Sequence, residues 1–233
     1  MKNLVLPLFA FLLSCFSCGS YSNHVTSSYR EKAKPSDKLA IVPVRFTYTG
    51  SYTRKMTDDK KMNMEDQASK KFQKEIAAGI VRKMGTSSSG IRVNLQDINT
   101  TNAKLKEKGL SIHDTYDMSP KELGEILNVD AVILIDIESN QFFSQFEAEV
   151  IETGVAILKT VFKKPNIIDI AGIKTGDVKT FASIVDTHDE SLLWTVGKSI
   201  ETRVAKTPEE TIAVIKRKLV HLFPYRNYDF EKK

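Results

Sequence analysis

SPKELGEILNVDAVILIDI, residues 119–137, carries a helix and a strand in one uninterrupted run. Ser119 offers an N-cap hydroxyl, Pro120 the pre-set backbone angle of a first helical residue, and Glu122 the acid three residues after the cap, so a helix starts here. Leu123, Ile126 and Leu127 give it one apolar side. From Val129 to Ile137 the centre is continuously apolar, which suits a strand covered on both faces. A helix feeding a doubly covered strand predicts helices packed on a sheet, an α/β domain.

The flanking segments fit that class. KLAIVPVRFTYTG, residues 38–50, reads as a strand in which Pro43 removes one ladder donor, placing it near an edge or at a bulge. The charged stretch from Ser51 to Asn63 reads as a loop. Ala68, Phe72, Ile76, Ile80 and Met84 then recur every four positions and predict an amphipathic helix over 64–84. Gly85 to Gly90 stops it, Ile91 to Leu95 alternates as a strand, and a short Lys-rich helix follows Asn102. Between Asn140 and Asp177, Phe146 to Phe162 is assigned as a helix, although Gly154 and the β-branched content permit two strands. Val178 to Val185 and Leu192 to Gly197 are strands joined by the polar hairpin loop Asp186 to Ser191. Thr207-Pro208-Glu209-Glu210 repeats the cap signature for a last helix ending near Pro224. The expectation is a single domain over 37–226, a mixed sheet with helices packed on it, and a polar tail over 227–233.

The first eighteen residues, MKNLVLPLFAFLLSCFSC, specify an address. Lys2 precedes an apolar run from Leu4 to Leu13, about 15 Å of helix and half of what a bilayer core requires, so the run reads as a signal peptide over 1–14. Leu12-Leu13-Ser14-Cys15 places a small residue directly before a cysteine and resembles the bacterial lipobox, which implies lipidation of Cys15. Cys18 is the alternative, preceded by Ser17 and followed by Gly19-Ser20; a plain secretory signal is the bland reading. Ser-, Thr- and Asn-rich residues follow without apolar periodicity, so residues 15–36 read as a flexible tether with a full reach of about 65 Å.

Residues 19–233 contain no cysteine, so the domain has no disulfide or thiolate chemistry. The formal charge is +5, about +4 without Lys2, too small an excess to imply nucleic acid. Lysines do cluster at Lys60-Lys61, Lys70-Lys71, Lys163-Lys164, Lys216-Arg217-Lys218 and Lys232-Lys233; solvated faces explain them, with anionic lipid heads or acidic wall polymers as the functional alternative.

Phosphate-loop, dinucleotide, zinc-helix and nucleophile-elbow patterns are all missing, and none of His24, His113, His188 and His221 has a second histidine at ligand spacing. His221 suits the last turn of the final helix. No metal and no cofactor is implied. Asp186-Thr187-His188-Asp189-Glu190 unites acid, base and hydroxyl, yet this is also the composition of a solvated loop. His113-Asp114 has the same weakness, and Asp136 and Glu138 read as a strand turning polar where it leaves the core. Phe142, Phe143 and Phe146 are the candidate partner surface.

Two stretches, Leu123 to Ile137 and Ala182 to Trp194, together with the first strand, resemble the CsgG, LpoB and TolB-amino-terminal-like domains of bacterial envelope lipoproteins. Asp189-Glu190-Ser191 stands where that family has Thr-Gly-Glu. The resemblance implies no catalytic residues. It implies a non-catalytic adaptor or regulator, held by membrane lipid through its N-terminal cysteine, outer-membrane-bound and facing the periplasm, with an envelope protein or a second copy of itself as partner. A subunit of a CsgG-like oligomeric secretion channel is the alternative, favoured by exposed hairpins over 140–180. An enzyme centred on residues 186–190 is the third reading, and a closed pocket joining that loop to Asp136 would favour it.

Overall fold

The structure is a computed structural model and describes residues 21–51, 53–85, 87, 90–141, 174–203 and 208–230. In chain order the elements begin with β1 (Ser22–Val25), α1 (Ser27–Lys32), β2 (Lys38–Ile41), β3 (Arg45–Thr49) and α2 (Asp58–Lys83). β4 (Asn94–Leu95), α3 (Ile98–Glu107), α4 (Ile112–Asp117), α5 (Pro120–Leu127) and β5 (Ala131–Gln141) follow. The last are β6 (Lys174–Asp186), β7 (Leu192–Arg203), α6 (Pro208–Leu222) and α7 (Asn227–Phe230). Among the described residues these strands form one mixed sheet in the order β1-β7-β6-β5-β2-β4, with β3 also on β5. The expected α/β class holds.

Parallel pairing joins β4, β2, β3 and β5, whereas β5, β6, β7 and β1 pair antiparallel. Leu39, Ile41, Ile133, Ile135, Ile184, Trp194 and Val196 face the main core, closed by Phe72, Ile76 and Ile80 of α2 and Ile215 and Leu219 of α6. Ala40, Val42 and Val132 face the other way, onto Leu105, Leu123 and Leu127 of α3 and α5. The start of β5 is therefore covered on both faces, as its unbroken apolar run requires.

Pro43 marks a bulge. Ile41 stands opposite Ile133 and Arg45 opposite Asp136, so four steps along β2 and β3 span three along β5. α5 starts on the expected capping box: the Ser119 hydroxyl accepts from the Glu122 amide at 3.2 Å and the Glu122 carboxylate from the Ser119 amide at 3.1 Å.

Several boundaries differ from the sequence reading. The segment read as tether is folded from Ser22: β1 adds to β7 with Ser22 opposite Gly197, and α1 buries Tyr29. The Thr26 hydroxyl donates to the Leu192 carbonyl at 2.6 Å, and the Tyr29 hydroxyl donates to Asp229 at 3.0 Å. The tail is folded to Phe230, with Asn227 buried. α2 starts at Asp58 because the Thr57 side chain accepts from the Lys60 amide, so half of the charged stretch is helix. β5 runs on to Gln141 and β6 begins at Lys174, so Asp136 and Glu138 lie within a ladder and not at its end. α4 had no counterpart in the sequence reading; Ser111 and Asp114 make its capping box. The assigned helix over 146–162 lies outside the described residues.

Candidate functional site

The bulge at Pro43 opens a gap in the ladder, and a side chain from α4 fills it. The Tyr116 hydroxyl donates to the Ile135 carbonyl and accepts from the Ile135 amide at 3.1 Å and the Arg45 amide at 3.0 Å. Burial pushes this phenol up to about 12, above its ordinary value, so it stays a neutral donor. The Arg45 guanidinium lies 4.6 Å from the centroid of the Tyr116 ring and reaches Asp136 through Nε at 3.0 Å and through Nη2. Asp136, whose hydrogen bond raises the Arg45 guanidinium, is thus the partner of Arg45 and is not simply solvated. Glu138 accepts from the Lys179 ammonium at 3.4 Å across β6.

The 186–190 cluster is the tip of the β6–β7 hairpin, and its groups are engaged in building that turn. Asp186 Oδ1 accepts from the amides of His188 at 2.8 Å and Asp189 at 3.4 Å. Thr187, buried, donates to the carbonyls of Val129 at 2.7 Å and Asp130 at 3.0 Å. The Lys32 ammonium of α1 pairs with Asp189 and holds its carboxyl down to about 2. His188 Nε2 stands 3.5 Å from Asp130. Asp186 pairs with Ala131 and Phe181 with Asp136, which places the tip and Asp136 five residues apart along β5. None of the four depressions described among these residues is lined by both the tip and Asp136.

The roomiest described depression lies where the strand order reverses at β2. The chain crosses from β3 to β4 through α2 on one face of the sheet and returns to β5 through α3, α4 and α5 on the other. Such reversals leave a crevice beside the strand ends. Here it measures about 730 Å³, with Pro43 and Phe46 at its floor and Met62, Leu105, Leu110 and Ile112 on its walls. Met62 is 64% exposed. The carboxylates beside it already have partners: Glu65 accepts from the Tyr48 amide at 2.8 Å, and Asp66 from the Lys70 ammonium at 2.6 Å. Ser111 and Asp114 cap α4, so the His113-Asp114 pair of the sequence is divided between wall and cap. The crevice thus combines an apolar floor with a polar rim, the lining of a binding depression.

Cys15, Cys18, Phe142, Phe143 and Phe146 lie outside the described residues. His24 sits in β1 opposite Thr195, and His221 in the last turn of α6 as expected. Sequence reasoning missed the crevice because its walls come from four separate stretches of chain, with only Pro43 as a local sign.

No family model matches the chain, and no curated protein matches it. Solved structures similar to it include lipoprotein GNA1162 from Neisseria meningitidis, 14% identical, TM-score 0.44, covering 79% of this chain and 95% of that one. A PelC dodecamer from Paraburkholderia phytofirmans is 11% identical with a TM-score of 0.42, over 88% of this chain and 98% of that one. The LpoB C-terminal domain from Salmonella enterica is 9% identical with a TM-score of 0.32, over 84% and 94%.

Proposed function

We propose that this chain is a lipid-anchored protein of the bacterial cell envelope, a non-catalytic adaptor or regulator that works through protein contacts. The observation that carries this reading is the leader: an apolar run too short to span a bilayer ends in Leu12-Leu13-Ser14-Cys15. Lipid on Cys15, or on Cys18 as the alternative, leaves at most residues 16–21 before β1, a reach of about 20 Å. A domain on so short a lead works close to its membrane, here the outer membrane on its periplasmic side. The apolar floor of the crevice beside Met62 is the surface on which a partner side chain docks, with Phe142, Phe143 and Phe146 as a second surface.

A photo-crosslinking residue in place of Met62 tests this in intact cells. The reading expects capture of an envelope protein, lost when Cys15→Ser and Cys18→Ser release the chain from the membrane. Capture of a second copy alone would favour the oligomeric channel. Capture no stronger than from the exposed His188 position would overturn docking at the crevice.

A further inference from the structure

The lysine clusters of α2 and α6 converge on one furrow between the two helices. Lys71, Glu75, Ala78 and Arg82 follow one another at three- and four-residue spacing, with Lys74 three residues after Lys71, and so form one stripe along α2. Together with Lys216 of α6 they line a depression of about 410 Å³. Gly79 sets how close the helices come, since a Cβ there would lie 2.7 Å from Val220 Cγ2. Glu75 is the sole carboxylate among these walls, and it accepts from the Lys216 ammonium at 2.7 Å. Lys71, Lys74 and Arg82 have no carboxylate partner among the described residues. Three cations held on one helical stripe repel each other, and an anion in the furrow relieves that repulsion.

The furrow continues into a second depression of about 210 Å³, which shares Lys71, Glu75 and Lys216 as walls. Its lining turns apolar, with Phe46, Ala68, Phe72, Ile212 and Ala213 beside Tyr48, and Glu209 as a further acid. A cationic trough that runs into an apolar slot matches a molecule with an anionic head and an aliphatic tail. Free phosphate would use the trough alone, and a nucleic acid would leave the slot unfilled.

We infer that the furrow between α2 and α6 binds an anionic phospholipid, with its phosphate among Lys71, Lys74, Arg82 and Lys216 and its acyl chain in the slot between Phe46 and Ile212. The site is independent of the anchor and goes beyond the adaptor reading. It stands or falls whether or not Cys15 carries lipid.

Isothermal titration calorimetry on the full-length chain in a non-ionic detergent tests it, with dihexanoyl phosphatidylglycerol, dihexanoyl phosphatidylcholine and inorganic phosphate as separate probes. The phosphatidylglycerol is expected to bind saturably and more tightly than the other two. Lys71→Ala, Lys74→Ala and Arg82→Ala combined should weaken it about tenfold with an unchanged melting temperature, because all three side chains are exposed. Ile212→Ser should weaken the lipid and leave phosphate untouched. Equal binding of phosphatidylcholine, phosphate as tight as the lipid, a triple variant that binds like the parent, or an oligonucleotide that binds more tightly would each overturn the inference. Cys15→Ser should change none of these affinities, which separates this result from the anchor.

Discussion

Tyr116 holds three backbone groups that the Pro43 bulge would otherwise leave unpaired, the Arg45 amide and both polar groups of Ile135. Removing only its oxygen, as in Tyr116→Phe, keeps the ring against Arg45 but strands those groups beside the core. The expected loss is roughly 2–4 kcal/mol in urea denaturation at neutral pH. The same group adds a pH signature with a definite sign. Its folded pKa, about 12, exceeds the unfolded value, so its stabilisation is complete below about pH 10 and is lost as pH rises towards 12. The parent should lose stability over that window more steeply than Tyr116→Phe. Equal stability of the two proteins would show that the plug contributes nothing. No pattern in the sequence announces this tyrosine, because its partners are backbone atoms of two strands 19 and 71 residues away. The acid-rich hairpin misleads in the opposite way: Thr187 and Asp189 look like chemistry and serve as struts.

At the scale of elements, some starts and breaks are written in neighbouring residues. Ser119 with Glu122, and Pro43 with its bulge, depend on residues close in sequence. The starts of α2 and α4 depend on equally local caps at Thr57 and Ser111, which charged surroundings obscured. β1 is different. Ser22, Asn23 and His24 are exposed, and no apolar alternation marks them; the strand exists because β7 offers an unpaired edge and Trp194 donates to Asn23 at 2.7 Å. One contact between elements is tight enough to test by substitution. A Cβ on Gly124 of α5 would lie 2.3 Å from the Cβ of Thr187 in the hairpin. Alanine improves intrinsic helix propensity by up to about 1 kcal/mol, yet overpacking here must displace the hairpin. Gly124→Ala is expected to destabilise by roughly 1–3 kcal/mol in thermal or urea unfolding. A gain in stability would mean that α5 and the hairpin are not in contact.

For the whole molecule, the most consequential difference from the sequence reading is that part of the stretch read as tether is folded, with β1 and α1 in it. A tether to residue 36 would let the domain stand tens of ångströms from its membrane, whereas the described fold already includes Ser22, and an anchor at Cys15 would leave at most residues 16–21 as its lead. β1 runs antiparallel to β7, and the Lys198 ammonium lies 5.2 Å from the centroid of the Tyr21 ring. Tyr21 and Ser22 therefore stand beside Lys198 and Gly197 of β7, and Arg203, Gln141 and Lys174 share one end of the sheet. A signal such as the apolar leader is written in consecutive residues and can be proposed from them, whereas crevice and furrow are assembled from distant segments and cannot.

Intact-mass and N-terminal peptide analysis of the mature chain, extracted from the membranes of cells that make it, tests the anchor most directly. The account predicts a chain that begins at Cys15 and carries the added mass of acyl chains, with the modification abolished by Cys15→Ser. A modified chain beginning at Cys18 would keep the anchor and move it by three residues. An unmodified chain, cleaved elsewhere and recovered with soluble proteins, would contradict the account.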